Sequence, residues 1–359
     1  MAEGLHVLFD GYWWFDGPTS NKNVMRSIVR TWAEDHPGDR LTVTAPAARR
    51  DELNDVLADH GIRAHVVSVP AYARIHALAA VSTGRMRPTP DVVVTHNFAA
   101  RTPGAISVCF VHDAMFVEHP EWFLPVERAY LAGIRPLLRR ADLVFTSSQT
   151  EASRIAEVWP EVAPRLAAVG LHAPRNLIDS AERKPDGVPD GPFVLVVGRL
   201  NVRKNLRRMV DAFLRSELSR TRRLLVVGQR DGLGEALTAD RDRDRVVFLD
   251  RIDDAGLRWL YRNAETLAFP SLDEGFGLPL AEAAMLGTPS IASDIPVFRE
   301  LDLADDYFDP TSVDDMVRAL DRAPRPRARA ADQRAGWSDT VMRMRDAVLA
   351  SSGRLPVAL

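Results

Sequence analysis

The sequence predicts an α/β protein of two doubly wound domains facing each other across a cleft. Three observations carry this expectation. Apolar strand-like runs alternate with helix-like stretches along the whole chain. Several of those runs are unbroken rather than alternating, which marks strands buried on both faces of a parallel sheet. Between the halves, the stretch from Asn176 to Pro192 is rich in Pro, Gly and charge, shows no apolar period, and reads as a linker.

In the first half, strand-like runs fall at His6–Phe9, Leu41–Ala45, His65–Val69, Val92–Thr95, Ile106–Val111 and Leu143–Ser147. Helix-like stretches such as Asp51–His60 and Pro125–Arg140 lie between them, and a further helix is expected to begin near Val24. The second half repeats the theme at Phe193–Val197, Leu224–Val227, Val246–Leu249, Thr266–Phe269 and Ser290–Ala292. The domains expected are therefore 1–175, then a linker at 176–192, then 193–335. A last helical stretch, Trp337 to Ala350 within 336–359, follows a polar, Pro- and Arg-rich segment from Arg322 to Arg334.

Bulk properties narrow the function. The chain has 359 residues, enough for two ordinary domains, with 46% hydrophobic and 26% charged residues. A formal net charge of −3 gives no global basic excess, so no nucleic-acid partner is expected. The sole cysteine, Cys109, sits inside an apolar strand and reads as core rather than nucleophile. Met1 to Phe9 lacks a basic region followed by a long apolar stretch, so no signal peptide is expected. No run of about 18 apolar residues is present to span a bilayer. A cytoplasmic protein is expected, with peripheral contact with the inner face of a membrane left open.

The chemistry concentrates in two segments. Glu274 and Glu282 bracket Glu274-Gly275-Phe276-Gly277-Leu278-Pro279-Leu280-Ala281-Glu282, just after the run Thr266–Phe269. Gly275 and Gly277 let the backbone approach a ligand closely, Pro279 suits a helix start, and Gly287 suits its stop. Glu274 is then expected on the loop and Glu282 in the first turn of the helix. Two carboxylates and free helix N–H groups suit a hydroxyl-rich, anionic ligand such as a sugar nucleotide. The helix dipole alone also favours acidic residues there, by roughly 0.3–1 kcal/mol, so a purely stabilising role stays open for either glutamate. As a site residue outside the core, Glu282 is expected to leave the melting temperature nearly unchanged when lost.

Upstream, the unbroken run Phe193–Val197 ends in Gly198, and a basic loop carrying Arg199 and Lys204 leads into the amphipathic stretch from Leu206 to Leu214. Two cations at the carboxyl end of a strand could hold a diphosphate. The segment lacks the second glycine of G-x-G-x-x-G and the Gly-Lys-Ser/Thr of a Walker loop, which argues against a nicotinamide-dependent oxidoreductase.

Together these residues carry a resemblance. Gly198-Arg199-x4-Lys204, followed by Pro270-Ser271-x2-Glu274-Gly275-Phe276-Gly277-x4-Glu282 and Ala283 to Pro289, resembles the retaining glycosyltransferases of family four. That resemblance implies the GT-B fold, two Rossmann-like domains, with the first binding the acceptor, the second the sugar nucleotide, and the last helix packing back on the first. The first half resembles the family more loosely. His6 to Gly11, Val108 to Asp113, and Phe116 to Phe123, a string familiar from mannosyl- and glucosyltransferase-like members, carry the likeness.

Roles follow from the resemblance. Arg199 and Lys204 would stabilise the leaving nucleoside diphosphate, in place of a metal ion and with no cofactor beyond the donor. Glu274 would contact the donor sugar and Glu282 the ribose hydroxyls, while the backbone at Gly198, Gly275, Phe276, Gly277 and Leu278 would reach sugar and phosphates. His112 matches a first-domain histidine near the sugar's C6 hydroxyl. Gly17 matches the first-loop glycine, although Pro18 follows it in place of a second glycine. Ile252, beside Arg251, lies where members contact the base. Partners would be a nucleotide sugar carrying mannose or glucose and a glycan or lipid-linked acceptor. Retention without an obvious carboxylate nucleophile implies front-side attack. The alternative is a catalytically inactive scaffold of the same fold that binds a sugar nucleotide or a partner protein. The intact set Arg199, Lys204, Glu274 and Glu282 argues against it, and an epimerase or phosphorylase should not need the glutamate pair.

Three further features compete for attention. Asp240 to Asp244 has D-x-D spacing, but arginines at each step would repel a cation, and the run reads as solvated. Tyr12-Trp13-Trp14-Phe15 suits either stacking on an acceptor or packing between loop and core. The stretch from Arg128 to Arg140 could lie on an anionic membrane, although a core helix with a solvated face is the commoner arrangement.

Overall fold

A computed structural model describes residues 4–11, 14, 18–46, 50–57, 62–67, 89–100, 103–229, 233–234, 244–322 and 334–353. The chain divides into two compact units, one of Met1–Ala114, Ala129–Leu171 and Arg334–Leu359, the other of Met115–Arg128 and His172–Gln333.

The first unit holds seven strands: β1 (His6–Phe9), β2 (Arg40–Pro46), β3 (Arg63–Val67), β4 (Val92–His96), β5 (Ile106–Phe110), β6 (Leu143–Thr146) and β7 (Leu166–Ala168). They form one sheet in the order β3-β2-β1-β4-β5-β6-β7, and every neighbouring pair is parallel. Val7, Leu8 and Phe9 are buried, as a strand covered on both faces requires. The helix Thr19–Asp35 lays Val24, Met25, Ile28, Val29 and Trp32 on the core, a stripe at helical spacing, with Trp32 edge-on to Phe9 at 5.8 Å.

The helix Arg334–Ser351 belongs to this unit and packs on the helix Thr19–Asp35. Its buried positions Trp337, Val341, Met344 and Val348 form one apolar stripe. At its side, Arg345 grips Asp39 with a fork of 2.8 and 3.1 Å. The same carboxylate accepts the Leu5 N–H and the Trp32 indole N–H, both at 2.9 Å. Burial pushes the Asp39 carboxyl up, but these bonds outweigh it and hold the group below its ordinary value. Removing one partner of such a pair strands a buried charge. Arg345→Ala is therefore expected to destabilise the protein by about 2–3 kcal/mol, read as a lower thermal midpoint at pH 7. Because the folded carboxyl is the stronger acid, the Asp39 contribution is present above its unfolded value and is lost as pH falls through its folded one.

The second unit holds β8 (Phe193–Val197), β9 (Arg223–Val227), β10 (Val246–Leu249), β11 (Thr266–Phe269), β12 (Ser290–Ser293) and β13 (Asp306–Phe308). Its order is β10-β9-β8-β11-β12-β13, again all parallel. Alternate residues of β8 face opposite layers, as a pleat dictates. Phe193 and Leu195 join Tyr261, Leu280 and Phe298 on one side, whereas Val194 and Val196 join Met209, Phe213 and Met316 on the other.

The structure departs from the sequence expectation in a few places. The single helix expected at Pro125–Arg140 is two, Pro125–Leu131 and Ile134–Leu138. Pro136 has no N–H to give and its ring would crowd the carbonyl four residues earlier, so the helix breaks there. The helix expected to begin near Val24 starts at Thr19. The stretch read as linker opens with the helical turn Arg175–Asp179, whose Leu177 is buried in the second unit's core. No helix among the described residues is long and apolar enough to cross a membrane.

Candidate active site at the carboxyl edge of the second sheet

In the second sheet the winding direction reverses between β8 and β11, the place where open α/β sheets bind ligands. Each strand feeds one sequence motif into that point. β8 ends in Gly198 at φ +150°, where a Cβ would stand 3.2 Å from Lys204 Cε. A short turn, Val202–Lys204, follows. Asn205, in the left-handed region at φ 53°, ends the turn and opens the helix Leu206–Arg215. Its buried side-chain amide donates to the carbonyls of Pro270 (3.1 Å) and Pro310 (2.7 Å), which ties the basic loop to the segment after β11. A small pocket is lined by Gly198, Arg199, Lys204, Phe269, Pro270 and Ser271, among others.

Glu274 is the hub of this edge. One carboxylate oxygen accepts from Lys204 Nζ and, at 2.7 Å, from Ser271 Oγ. The other accepts from Arg203 Nη1 at 2.6 Å, and the same guanidinium nitrogen reaches the Asp273 carbonyl at 3.1 Å. Burial alone would push the Glu274 carboxyl up, but Arg203, Lys204 and Ser271 overcome it and hold the value at about 2. Lys204 is pulled down to about 8, first by burial and against the attraction of Glu274, with Arg203 and Arg199 adding repulsion. Its ammonium also lies 4.8 Å from the Phe269 ring centre, a cation–π contact. Near neutral pH the edge thus holds an anion fixed between two cations.

Gly277 precedes the helix Leu278–Leu286 at φ +109°, and a Cβ there would stand 2.7 Å from Phe298 Cε1, so both conformation and space demand glycine. Gly287, at φ +73°, ends that helix. Gly275, Phe276 and Leu278 are buried around it. Glu282 stands one turn into the helix, deeper than the first turn expected, and is only 6% exposed. The Tyr261 hydroxyl donates to it at 2.6 Å. Burial raises the Glu282 carboxyl to about 7, with Tyr261 opposing and the like charge of Asp254 adding to the rise.

Other expected positions fall elsewhere. Ile252 is half-buried in the loop after β10, packed so that a Cβ on Gly256 would stand 2.6 Å from its Cγ2. His112 lies in the first unit, just past β5, with its amide N–H bonded to Asn97 Oδ1 at 3.0 Å. Gly17 lies outside the described residues, as do Asp240 to Arg243, Tyr12, Trp13 and Phe15. Trp14 is 2% exposed and packs under Arg26, which decides for packing at that position. Burial pushes the Cys109 thiol up to about 12, in keeping with a core residue. Between Arg128 and Arg140, Ile134 and Leu138 are buried and Arg135 pairs with Glu161 at 2.8 Å, the pattern of a core helix with a solvated face.

Sequence reading missed Arg203, Ser271, Asn205 and Tyr261. The signal for Arg203 was its adjacency to Lys204, because a tight turn can aim neighbouring side chains at one group. Tyr261 carried no signal, since its link to Glu282 spans 21 residues.

Residues 179–334 match the family model described as glycosyl transferases group 1. Among curated relatives, the serotype-specific mannosyltransferase WbdA of Escherichia coli is 32% identical over 58% of this chain and 28% of its own length. The D-inositol 3-phosphate glycosyltransferase of Xylanimonas cellulosilytica is 34% identical over 65% of this chain and 63% of its own. The chain thus spans under a third of the mannosyltransferase and under two thirds of the second relative. Among solved structures, sucrose-phosphate synthase from Thermosynechococcus elongatus superposes with a TM-score of 0.61 at 19% identity, over 96% of this chain and 94% of the other. The fold is the GT-B type.

Proposed function

Residues 179–334 belong to the group 1 glycosyl transferases, and from that premise we propose that the protein moves a hexose, mannose or glucose, from a nucleoside-diphosphate sugar to a hydroxyl of a glycan or lipid-linked acceptor. The anomeric configuration is retained and no metal ion is needed. The observation that carries the reading is the pair of cations, Arg203 and Lys204, held on Glu274 at the switch point of the second sheet. A preorganised cation beside Arg199 stabilises the charge that develops on the leaving diphosphate without rearranging. Glu282, at the start of the second helical turn, accepts hydrogen bonds from the ribose hydroxyls.

In the reaction the acceptor oxygen bonds to the anomeric carbon on the face the phosphate leaves. The carbon–oxygen bond to the diphosphate breaks, and the acceptor's proton passes to a phosphate oxygen. The protein contributes positioning and electrostatics rather than a covalent group. The names of the relatives, a mannosyltransferase and an inositol phosphate glycosyltransferase, support a hexosyl donor and a polyol or glycan acceptor.

A panel of UDP-, GDP- and dTDP-sugars tests this by thermal shift and by release of free nucleoside diphosphate. One base should raise the melting temperature, with about 2.7 kcal/mol of added stability at a hundredfold excess over Kd. Slow nucleotide release should continue in EDTA. A chain that no donor shifts would sink the reading and favour the inactive scaffold.

A further inference from the structure

Two imidazoles meet at the carboxyl ends of β4 and β5. His96 ends β4, and His112 follows β5 by two residues. Their rings stack at 20° with centres 5.2 Å apart, and His96 Nδ1 lies 3.1 Å from His112 Nε2. The backbone holds them in register. Asn97 sits in the left-handed region at φ 62°, accepts the His112 N–H on its side chain, and donates its own N–H to the Phe110 carbonyl at 2.8 Å. His96 is 2% exposed, and its Nε2 is buried without a hydrogen-bond partner.

Burial lowers the His96 imidazole to about 3, and burial together with His96 holds His112 well below its ordinary value, so both rings are neutral at neutral pH. One proton then occupies the bond between them. Were it His112's, His96 would carry its own proton on Nε2, a buried N–H with no acceptor. Were it His96's, only a lone pair would be left over at Nε2. Orphaned buried N–H groups are the rarer defect, because a donor stripped of water loses its single partner outright.

We propose that His96 is a positioning residue that fixes the tautomer of His112: His96 Nδ1–H donates to His112 Nε2, and His112 carries its proton on Nδ1. The only acceptor nitrogen of His112 is then occupied, so a sugar hydroxyl presented to this ring meets a hydrogen-bond donor and not a base. That consequence rests on the glycosyl-transfer reading, whereas the tautomer itself does not. It fits a reaction in which the leaving phosphate, rather than a side chain, takes the acceptor's proton.

The test reads the tautomer directly. In the full chain labelled with 15N-histidine, two-bond proton–nitrogen correlations at pH 7.5 distinguish Nδ1–H from Nε2–H rings, and His112→Asn and His96→Asn spectra assign the two signals. Both rings are expected as Nδ1–H. His96→Asn keeps an N–H near the Nδ1 position and should leave His112 in that form. His96→Leu, of similar volume but without a donor, should return His112 to the Nε2–H form that a free neutral imidazole prefers in water. A wild-type His112 protonated on Nε2 would overturn the proposal, with no need for a variant that folds. So would a His112 tautomer unmoved by His96→Leu. Because none of these spectra needs a donor sugar, their outcome stands apart from that of the donor panel.

Discussion

Lys204→Ala lowers sugar transfer by about a hundredfold to a thousandfold while leaving the chain folded, the size expected when one preorganised charge-stabilising donor is removed. The fold survives because Glu274 keeps two partners, Arg203 at 2.6 Å and Ser271 at 2.7 Å, and so stays ionised and satisfied. What disappears is the cation that can turn from Glu274 to a phosphate oxygen. The wild-type rate should also fall as pH rises past about 8, where the Lys204 ammonium of the free enzyme gives up its proton. The variant should lack that limb. Initial rates of nucleoside diphosphate release and a circular-dichroism melt check both halves, and full turnover by the variant with every donor would remove Lys204 from the site.

Glu282→Gln combines weaker donor binding with a more stable free protein. Two ribose hydroxyls lose a charged acceptor, which weakens the donor by about tenfold to a hundredfold. The wild type should show the same weakening as pH drops through about 7 and its carboxylate is protonated. Stability moves the other way. The Glu282 carboxyl rises from 4.5 to about 7 on folding, so between those values the folded protein holds a proton that the unfolded chain releases. Stability therefore declines as pH climbs through that window and stays lower above it, by roughly 3 kcal/mol at most. Glutamine is neutral throughout and can still accept from the Tyr261 hydroxyl. At pH 8 the variant should melt a few degrees above the wild type, with the gap closing near pH 4. An equal or lower midpoint at pH 8 would contradict the buried carboxylate. The sequence alone suggested no effect on melting, because a residue beside a glycine loop reads as exposed; its burial under Tyr261 reverses that.

The parts of this fold that were legible owe it to redundancy. Strands such as Phe193–Val197 are covered on both faces and announce themselves as unbroken apolar runs. β7 and β13, three residues each at the sheet edges, carry no such run and were missed. Glycines were legible where sterics leave no choice, as at Gly277 and Gly287. The site was half legible. Lys204, Glu274 and Glu282 stand in spaced motifs, but their partners come from other elements, and only folding sets Arg203 on Glu274 across 71 positions. Adjacency in sequence pointed to Arg199 and Lys204 as a pair, while the turn Val202–Lys204 gives Glu274 to Arg203 and Lys204 instead.

The helix Arg334–Ser351 has a consequence for how the chain is assembled. The first unit is discontinuous, begun by the opening strands and completed by a segment made only after the whole second unit. During synthesis the second sheet can close on its own contiguous core, whereas the Asp39 carboxylate waits for Arg345, 306 residues downstream. Until then Trp32 and its neighbours lack their apolar lid. The first unit is accordingly the late-maturing, chaperone-dependent part of the molecule, and the second is an inserted folding nucleus on which it waits.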